Sequence, residues 1–273
     1  MRPSLRGCSL VFLVTVIAGA HSRADDARPI PDIRSLMTEV QAHQRDLDKT
    51  RENYTFRERQ TITEVDKKGN PGKTEQREMQ VFYVNAHQIE RLVRKDGQPL
   101  SQSDQDKETG RIKKEVERAE KTPPGVLLDD RCQVSVGRLL SIETFSNPRR
   151  ITMDNRSVLA FDFRGNPDAK THGVSETASK KLAGTLWIDE QDRQVRRVEA
   201  TLEDNFHLGF GIFSLSKGSR FTFDQKLVNN ELWLPTSASI HIEAHAVAFL
   251  SYRANVQITY DQYQRFHTEA SQQ

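Results

Sequence analysis

Three carboxylates fall within four residues of the stretch GTLWIDEQDRQVRRVEATL: Asp189, Glu190 and Asp192, with Arg193, Arg196 and Arg197 close behind. Carboxylates do acid–base work when one is pushed into an apolar pocket or held at a defined distance from another. The flanks argue against that here. Leu186 and Ile188 share one face of a period-two run, and Val198, Ala200 and Leu202 share one face of the next. DEQDRQ between them has turn composition. The cluster therefore reads as a hydrated hairpin turn, its carboxylates paired with nearby arginines, and no catalytic residue is expected in it.

HIEAH is the most metal-like feature, with His241, Glu243 and His245 on one face of a strand. At strand spacing the two histidines stand roughly 13 Å apart, too far to share one ion with bonds near 2 Å. A helical HExxH motif works because its histidines are one turn apart. One histidine plus Glu243 could join a site only with ligands from neighbouring strands, so a polar sheet face is the expectation and no metal or cofactor is assigned. HLGFGIFSLSKGS carries Gly209, Gly211 and Gly218 but has neither the Lys-Ser/Thr nor the βαβ setting of a phosphate loop. Its apolar residues, Phe206, Leu208, Phe210, Ile212, Phe213 and Leu215, read as a buried turn or as a flexible lip at a cavity mouth. No GxSxG elbow is present, and Cys132 has no identifiable catalytic partner.

The elements that would position such residues are mostly strands. Ile33, Leu36, Met37, Val40 and Leu47 recur at helical spacing after Pro31 and Asp32, which predicts an amphipathic helix over Asp32–Arg51. From Asn53 the period becomes two: NYTFRERQTITEV, the turn DKKGNPG, TEQREMQVFYVN, then QIERLVRK and Asp96-Gly97 form a meander. Residues 101–121 predict a charged, solvent-facing helix interrupted by Gly110. CQVSVGRLLSIETF reads as a short helix entering a strand, RSVLAFDF as a strand, and residues 164–183 as a polar loop. Trp187 and Trp233 have the opposite parity to the aliphatic residues of their strands, so they cover a second sheet face or line a ligand surface.

The last third is the clearest. Phe221, Phe223 and Leu227 share one face, and after the Asn229-Asn230 turn Ala238, Ile240, Ile242, Ala244, Ala246, Ala248 and Leu250 do the same. Tyr252, Ala254, Val256, Ile258 and Tyr260 repeat it, the pattern of half-buried antiparallel strands. No regular βα alternation or solenoid repeat is present. The expected fold is mainly β (α+β): a strongly curved antiparallel sheet forming an incomplete β-barrel. The N-terminal amphipathic helix and the inserted helix would lie in or over its hollow.

The N-terminus has the three parts of a secretory signal. Arg2 and Arg6 precede the apolar CSLVFLVTVIAGA, and Ala18-Gly19-Ala20 offers a cleavage site, with a second after Ala24. The apolar run falls short of the about 20 residues of a membrane span. This predicts export to the periplasm, a soluble product, one domain over residues 25–268 and a tail at 269–273. Loss of Cys8 with the signal leaves Cys132 alone, which excludes an intrachain disulfide and a Cys-based zinc site. Loss of Arg2 and Arg6 brings the formal charge of +2 to about zero, so nucleic acid is not expected as a partner.

In this setting GTLWIDEQDRQVRRVEA, KGSRFTFDQKLVNNELWLPT and the closing YDQYQRF resemble the periplasmic lipoprotein-carrier (Lol-type) superfamily. Among its branches, the chain is most similar to uncharacterised exported bacterial proteins allied to outer-membrane lipoprotein-sorting proteins. The resemblance covers nearly the whole mature chain and marks a fold more than an activity. It implies an incomplete β-barrel whose helix-lined apolar cavity shields lipid chains. No specific carrier's binding residues can be matched to positions here.

The resulting expectation is a non-enzymatic periplasmic protein that binds a lipid or an acylated, lipoprotein-type cargo, with inner- or outer-membrane components as further partners. The cavity residues would be Phe210, Ile212, Phe213, Phe221, Phe223, Ile240, Ile242, Tyr252 and Val256. Two alternatives stand beside it. One is an envelope interaction or sensor module without lipid, using the 101–121 helix; the other is a metal-assisted enzyme around His241 and Glu243.

Overall fold

The structure, a computed structural model, describes residues 28–124, 126, 128, 138, 141–208, 213–246 and 250–266. The expected signal segment with its cleavage points, both cysteines and the 269–273 tail lie outside the described residues, as does most of CQVSVGRLL.

The period-two runs become strands of one antiparallel sheet. In chain order these are β1 (Tyr54–Val65), β2 (Pro71–Val84), β3 (His87–Lys95), β4 (Gln98–Pro99), β5 (Glu143–Met153), β6 (Arg156–Gly165) and β7 (Leu182–Asp189). They continue as β8 (Gln194–Leu202), β9 (Phe206–Leu208), β10 (Phe213–Leu215), β11 (Arg220–Val228), β12 (Leu232–Ala246) and β13 (Leu250–Arg265). The order across the sheet is β4-β3-β2-β1-β13-β12-β11-β8-β7-β6-β5, with β10 pairing β12 and β9. The sheet is curved, and its outer strands β4 and β5 do not pair, so it is not closed into a barrel.

Tight turns set the register. Asn85-Ala86, Asp154-Asn155 and Asn229-Asn230 all take positive φ, which matches the right-handed twist of the strands they join. In the β1–β2 turn the Asp66 carboxylate accepts from the backbone of Lys68 and Asn70 at 2.7 and 2.9 Å. The outer strand β5 is blunted against further pairing: it carries Pro148, Asn147 at φ 48°, and a bulge between Ser146 and Arg149. At Gly184 a Cβ would sit 1.8 Å from the Glu199 carbonyl oxygen, so β7 and β8 approach there in a way that only glycine permits.

Helix α1 (Ile33–Asp46) starts where Asp32 accepts from the Ser35 backbone at 2.9 Å. Its stripe of Leu36, Met37 and Val40 packs on Leu159, Phe161, Leu186, Ile188 and Ala200, which fixes this face of β6–β8 as the inner one. A short α2 (Asp48–Arg51) follows, so the helical stretch breaks after Asp46 instead of running unbroken to Arg51. A second inner cluster gathers Tyr54, Phe56, Val81, Leu232 and Leu234, with Leu47 and Tyr260 packed against it.

Helix α3 (Gln102–Lys121) runs through Gly110 without the expected interruption. A mid-helix glycine costs about 1 kcal/mol, and side-chain contacts on either side of it offset that. Arg111 bridges Glu108 and Glu115, and the Leu92 backbone of β3 donates to Glu108 at 2.7 Å. The polar segment 164–183 is also corrected, because it folds into a short helix, α4 (Gly173–Ser179). Arg138 grips Glu176 at 2.7 and 2.8 Å, and the Lys180 ammonium donates to the Pro167 and Ala169 carbonyls. Such contacts are invisible to a composition-based reading.

Candidate functional site

Cross-strand register builds the candidate site on the inner face. Phe221 lies opposite Ala200 on β8 and Ile240 on β12; Ile240 lies opposite Val256 on β13; Val256 lies opposite Ile62 on β1. A second row runs Val198, Phe223, Ala238 and Ile258, and Ile242 faces Ala254. Paired residues share a face, so these rows continue the surface on which α1 lies. The Phe221 and Phe223 rings stack with centroids 6.3 Å apart.

The large side chains of these rows, Phe221, Phe223, Ile240, Ile242, Val256 and Ile62, are all only half-buried. Between them stand buried Ala200, Ala238 and Ala254. Large half-buried and small buried residues thus alternate across this apolar inner face. Tyr252, opposite Ala244, is 45% exposed at the far end. Phe213 is placed in β10 opposite Ala246 and Leu208. Phe210 and Ile212 lie outside the described residues. Of the nine expected residues, the register thus brings Phe221, Phe223, Ile240, Ile242 and Val256 together, with Tyr252 at the margin.

The sequence patterns do not single out the polar end of this face. Glu58 shares the inner face of β1 with Phe56 and Ile62, lies opposite Met79 and Tyr260, and is 2% exposed. Its carboxylate accepts from the Gln60 amide at 2.6 Å. Burial, aided by the negative charge of Glu90, pushes the Glu58 carboxyl up to about 7. Burial likewise pushes the Tyr260 phenol upward. The available signal was parity: Phe56, Glu58, Gln60 and Ile62 alternate in step, so a charged residue there had to face inward.

The acidic cluster is the hairpin turn between β7 and β8, but its first carboxylate is buried and the other two are half-buried. Asp189 has no exposed surface, and Arg156 donates to both its oxygens, at 2.5 and 2.7 Å. The backbone N–H groups of Gln191 and Asp192 donate to it as well. Burial raises the Asp189 carboxyl, yet Arg156 and these backbone bonds outweigh it and hold the group below its usual range. A carboxylate stabilised in its charged form is no proton donor near neutral pH.

Glu190 accepts from Arg150 and Ser157, and Asp192 accepts from the Trp233 indole at 2.8 Å. Arg156 and Arg196 each lie 5.7 Å from the Trp233 ring centre. Arg193 reaches Glu39 of α1 at 2.7 Å. The turn therefore ties β5, β6, β12 and α1 together. It borders a polar cleft of about 800 Å³ lined by His43, Asp46 and Trp233. Trp187 instead stands on the outer face, under Arg197.

His241 pairs with Asn255 at 2.7 Å and approaches Glu243 at 3.4 Å, while His245 pairs with Ser216 at 3.0 Å. Arg253 donates to the remaining oxygen of Glu243. Each polar group of HIEAH thus has its own neighbour, and no cluster of three or more His, Cys, Asp or Glu is arranged for a metal among the described residues.

No family model matches the sequence, and no curated protein matches it. Among solved structures, the chain is similar to one described as an outer membrane lipoprotein-sorting protein domain from Vibrio parahaemolyticus. The two are 9% identical with a TM-score of 0.40, over 88% of this chain and 96% of that one.

Proposed function

We propose that this protein is a non-enzymatic, exported binder of lipid or acylated, lipoprotein-type cargo, with the acyl chain lying in the inner-face trough of β11, β12, β13 and β1. The observation that carries the reading is the half-buried rows of Phe221, Ile240, Val256 and Ile62, interleaved with small Ala200, Ala238 and Ala254. Half-exposed apolar groups inside a concave surface gain about 0.8 kcal/mol for each methylene they help remove from water. No reactive group is needed for that. Periplasmic residence and exchange with inner- or outer-membrane components belong to the same proposal; no helix among the described residues is long and apolar enough to cross a membrane.

The test is native mass spectrometry for copurified lipid, followed by titration of delipidated protein with a fluorescent C16 acyl probe. Saturable binding competed by unlabelled palmitate is expected. Absence of both copurified lipid and saturable binding refutes the reading.

A further inference from the structure

Glu143 opens β5 on the inner face and contributes to a cleft of about 470 Å³ between that strand and α1. It is 8% exposed, and neither carboxyl oxygen has a hydrogen-bond partner among the described residues. An unpartnered buried carboxyl is costly, and an apolar side chain of similar size would avoid that cost. Burial accordingly pushes Glu143 up to about 8.

The neighbours around it have complementary vacancies. Thr38 and Ser141 spend their hydroxyl protons on the Arg34 and Arg138 carbonyls, at 2.9 and 2.8 Å; the Ser141 oxygen also accepts from the Arg138 guanidinium at 3.2 Å, which leaves it one lone pair. The Arg34 guanidinium makes no ion pair or hydrogen bond among the described residues, and acts only through space on Asp32. The Asn166 side-chain oxygen accepts from Asp168 at 3.0 Å, while its amide nitrogen has no acceptor among the described residues. The cleft lining thus holds hydroxyl acceptors at Thr38 and Ser141, a carboxyl at Glu143, a cation at Arg34 and an amide donor at Asn166. Met37 and Phe145 supply apolar walls, and the volume falls within the range of small-molecule sites.

We propose that this cleft binds a small zwitterion, its ammonium on Glu143 and its anionic group on Arg34 and Asn166. Reaching the carboxyl requires the Glu143 side chain to turn about its own torsions into the cleft. The proposal stands independently of acyl binding, since the cleft lies beneath α1 and shares no residue with the trough. The chemistry fits an ethanolamine-phosphate lipid headgroup or a free amino acid.

Isothermal titration of the whole protein with glycerophosphoethanolamine, glycerophosphocholine and L-alanine separates these sources. Binding of the ethanolamine compound or of alanine is expected, with the choline compound, which has no N–H donor, at least about tenfold weaker. Whichever amine binds names the source. Because Glu143 ionises as the ammonium arrives, binding near pH 7 should release a proton, making the heat depend on the buffer. Glu143→Gln should weaken binding about tenfold or more and abolish that buffer dependence. It replaces a buried carboxyl that is mostly protonated near pH 7 with a neutral amide of nearly the same shape, so folding should survive, as circular dichroism can check. Arg34→Met should weaken binding without changing proton release. No binding of either amine up to about 10 mM, or binding unchanged in Glu143→Gln, overturns the proposal.

Discussion

Arg156 clasps Asp189 through both carboxylate oxygens, at 2.5 and 2.7 Å, where Asp189 has no exposed surface and two backbone N–H groups also point at it. Breaking such a pair strands a buried charge. Asp189→Asn and Arg156→Met should each cost about 3 kcal/mol in urea unfolding, with the double variant well short of additive. A loss below about 1 kcal/mol would mean that the pair behaves as a surface one. Because the folded Asp189 carboxyl lies below its usual value, its contribution is present above pH 3.8 and disappears as pH falls through the folded value.

Glu58 has the opposite sign. Its folded carboxyl is raised from 4.5 to about 7, so the folded state holds the proton more tightly over that interval. The stabilisation that this gives is complete below pH 4.5 and is lost as pH rises through about 7. Glu58→Gln should therefore flatten the decline of thermal stability between these limits, raising Tm at pH 8 more than at pH 4.5. An unchanged pH profile would place the decline on other groups.

Two glycines should respond in opposite directions. Gly184→Val forces a Cβ against the Glu199 carbonyl at 1.8 Å and should abolish soluble folded protein or cost more than about 2 kcal/mol. Gly110 has open space around a would-be Cβ in the middle of α3, so Gly110→Ala should stabilise by about 0.5–1 kcal/mol. Equal responses at the two positions would contradict this backbone geometry.

A charge placed in the trough should separate binding from folding. Ile240→Asp should reduce affinity for a C16 acyl probe by about tenfold or more. Thr259→Asp, on the exposed outer face of β13, should leave it within about twofold. Equal effects from the two variants would show that the probe does not enter the trough.

The strands of the last third were legible because Phe221, Ile240, Val256 and their neighbours alternate without a break, and alternation alone fixes which residues share a face. The hairpin at Asp189 was legible for the same reason. The burial of its carboxylates was not, because it comes from Arg150, Arg156 and Trp233, which reach the turn from other strands. Local composition says turn, and tertiary packing buries Asp189 within it. Residues 164–183 failed in a related way, since α4 is held by Arg138 and by carbonyls that Lys180 caps. Glu58 and Glu143 went unremarked because charged letters in strands are by default assigned to solvent, although parity already turned Glu58 inward.

The pairing of β1 with β13 also bears on how the chain is made. Arg59 and Asp261 meet in the middle of the sheet from positions 202 residues apart. Until the C-terminal strand emerges, β1 has only β2 beside it and both halves of the sheet keep a raw edge. Contacts of such long range make folding slow. A chain cut short before β13 should stay unfolded, its two halves unable to join. The β1–β13 seam that joins the two halves of the sheet can therefore form only once the C-terminal strand has been made.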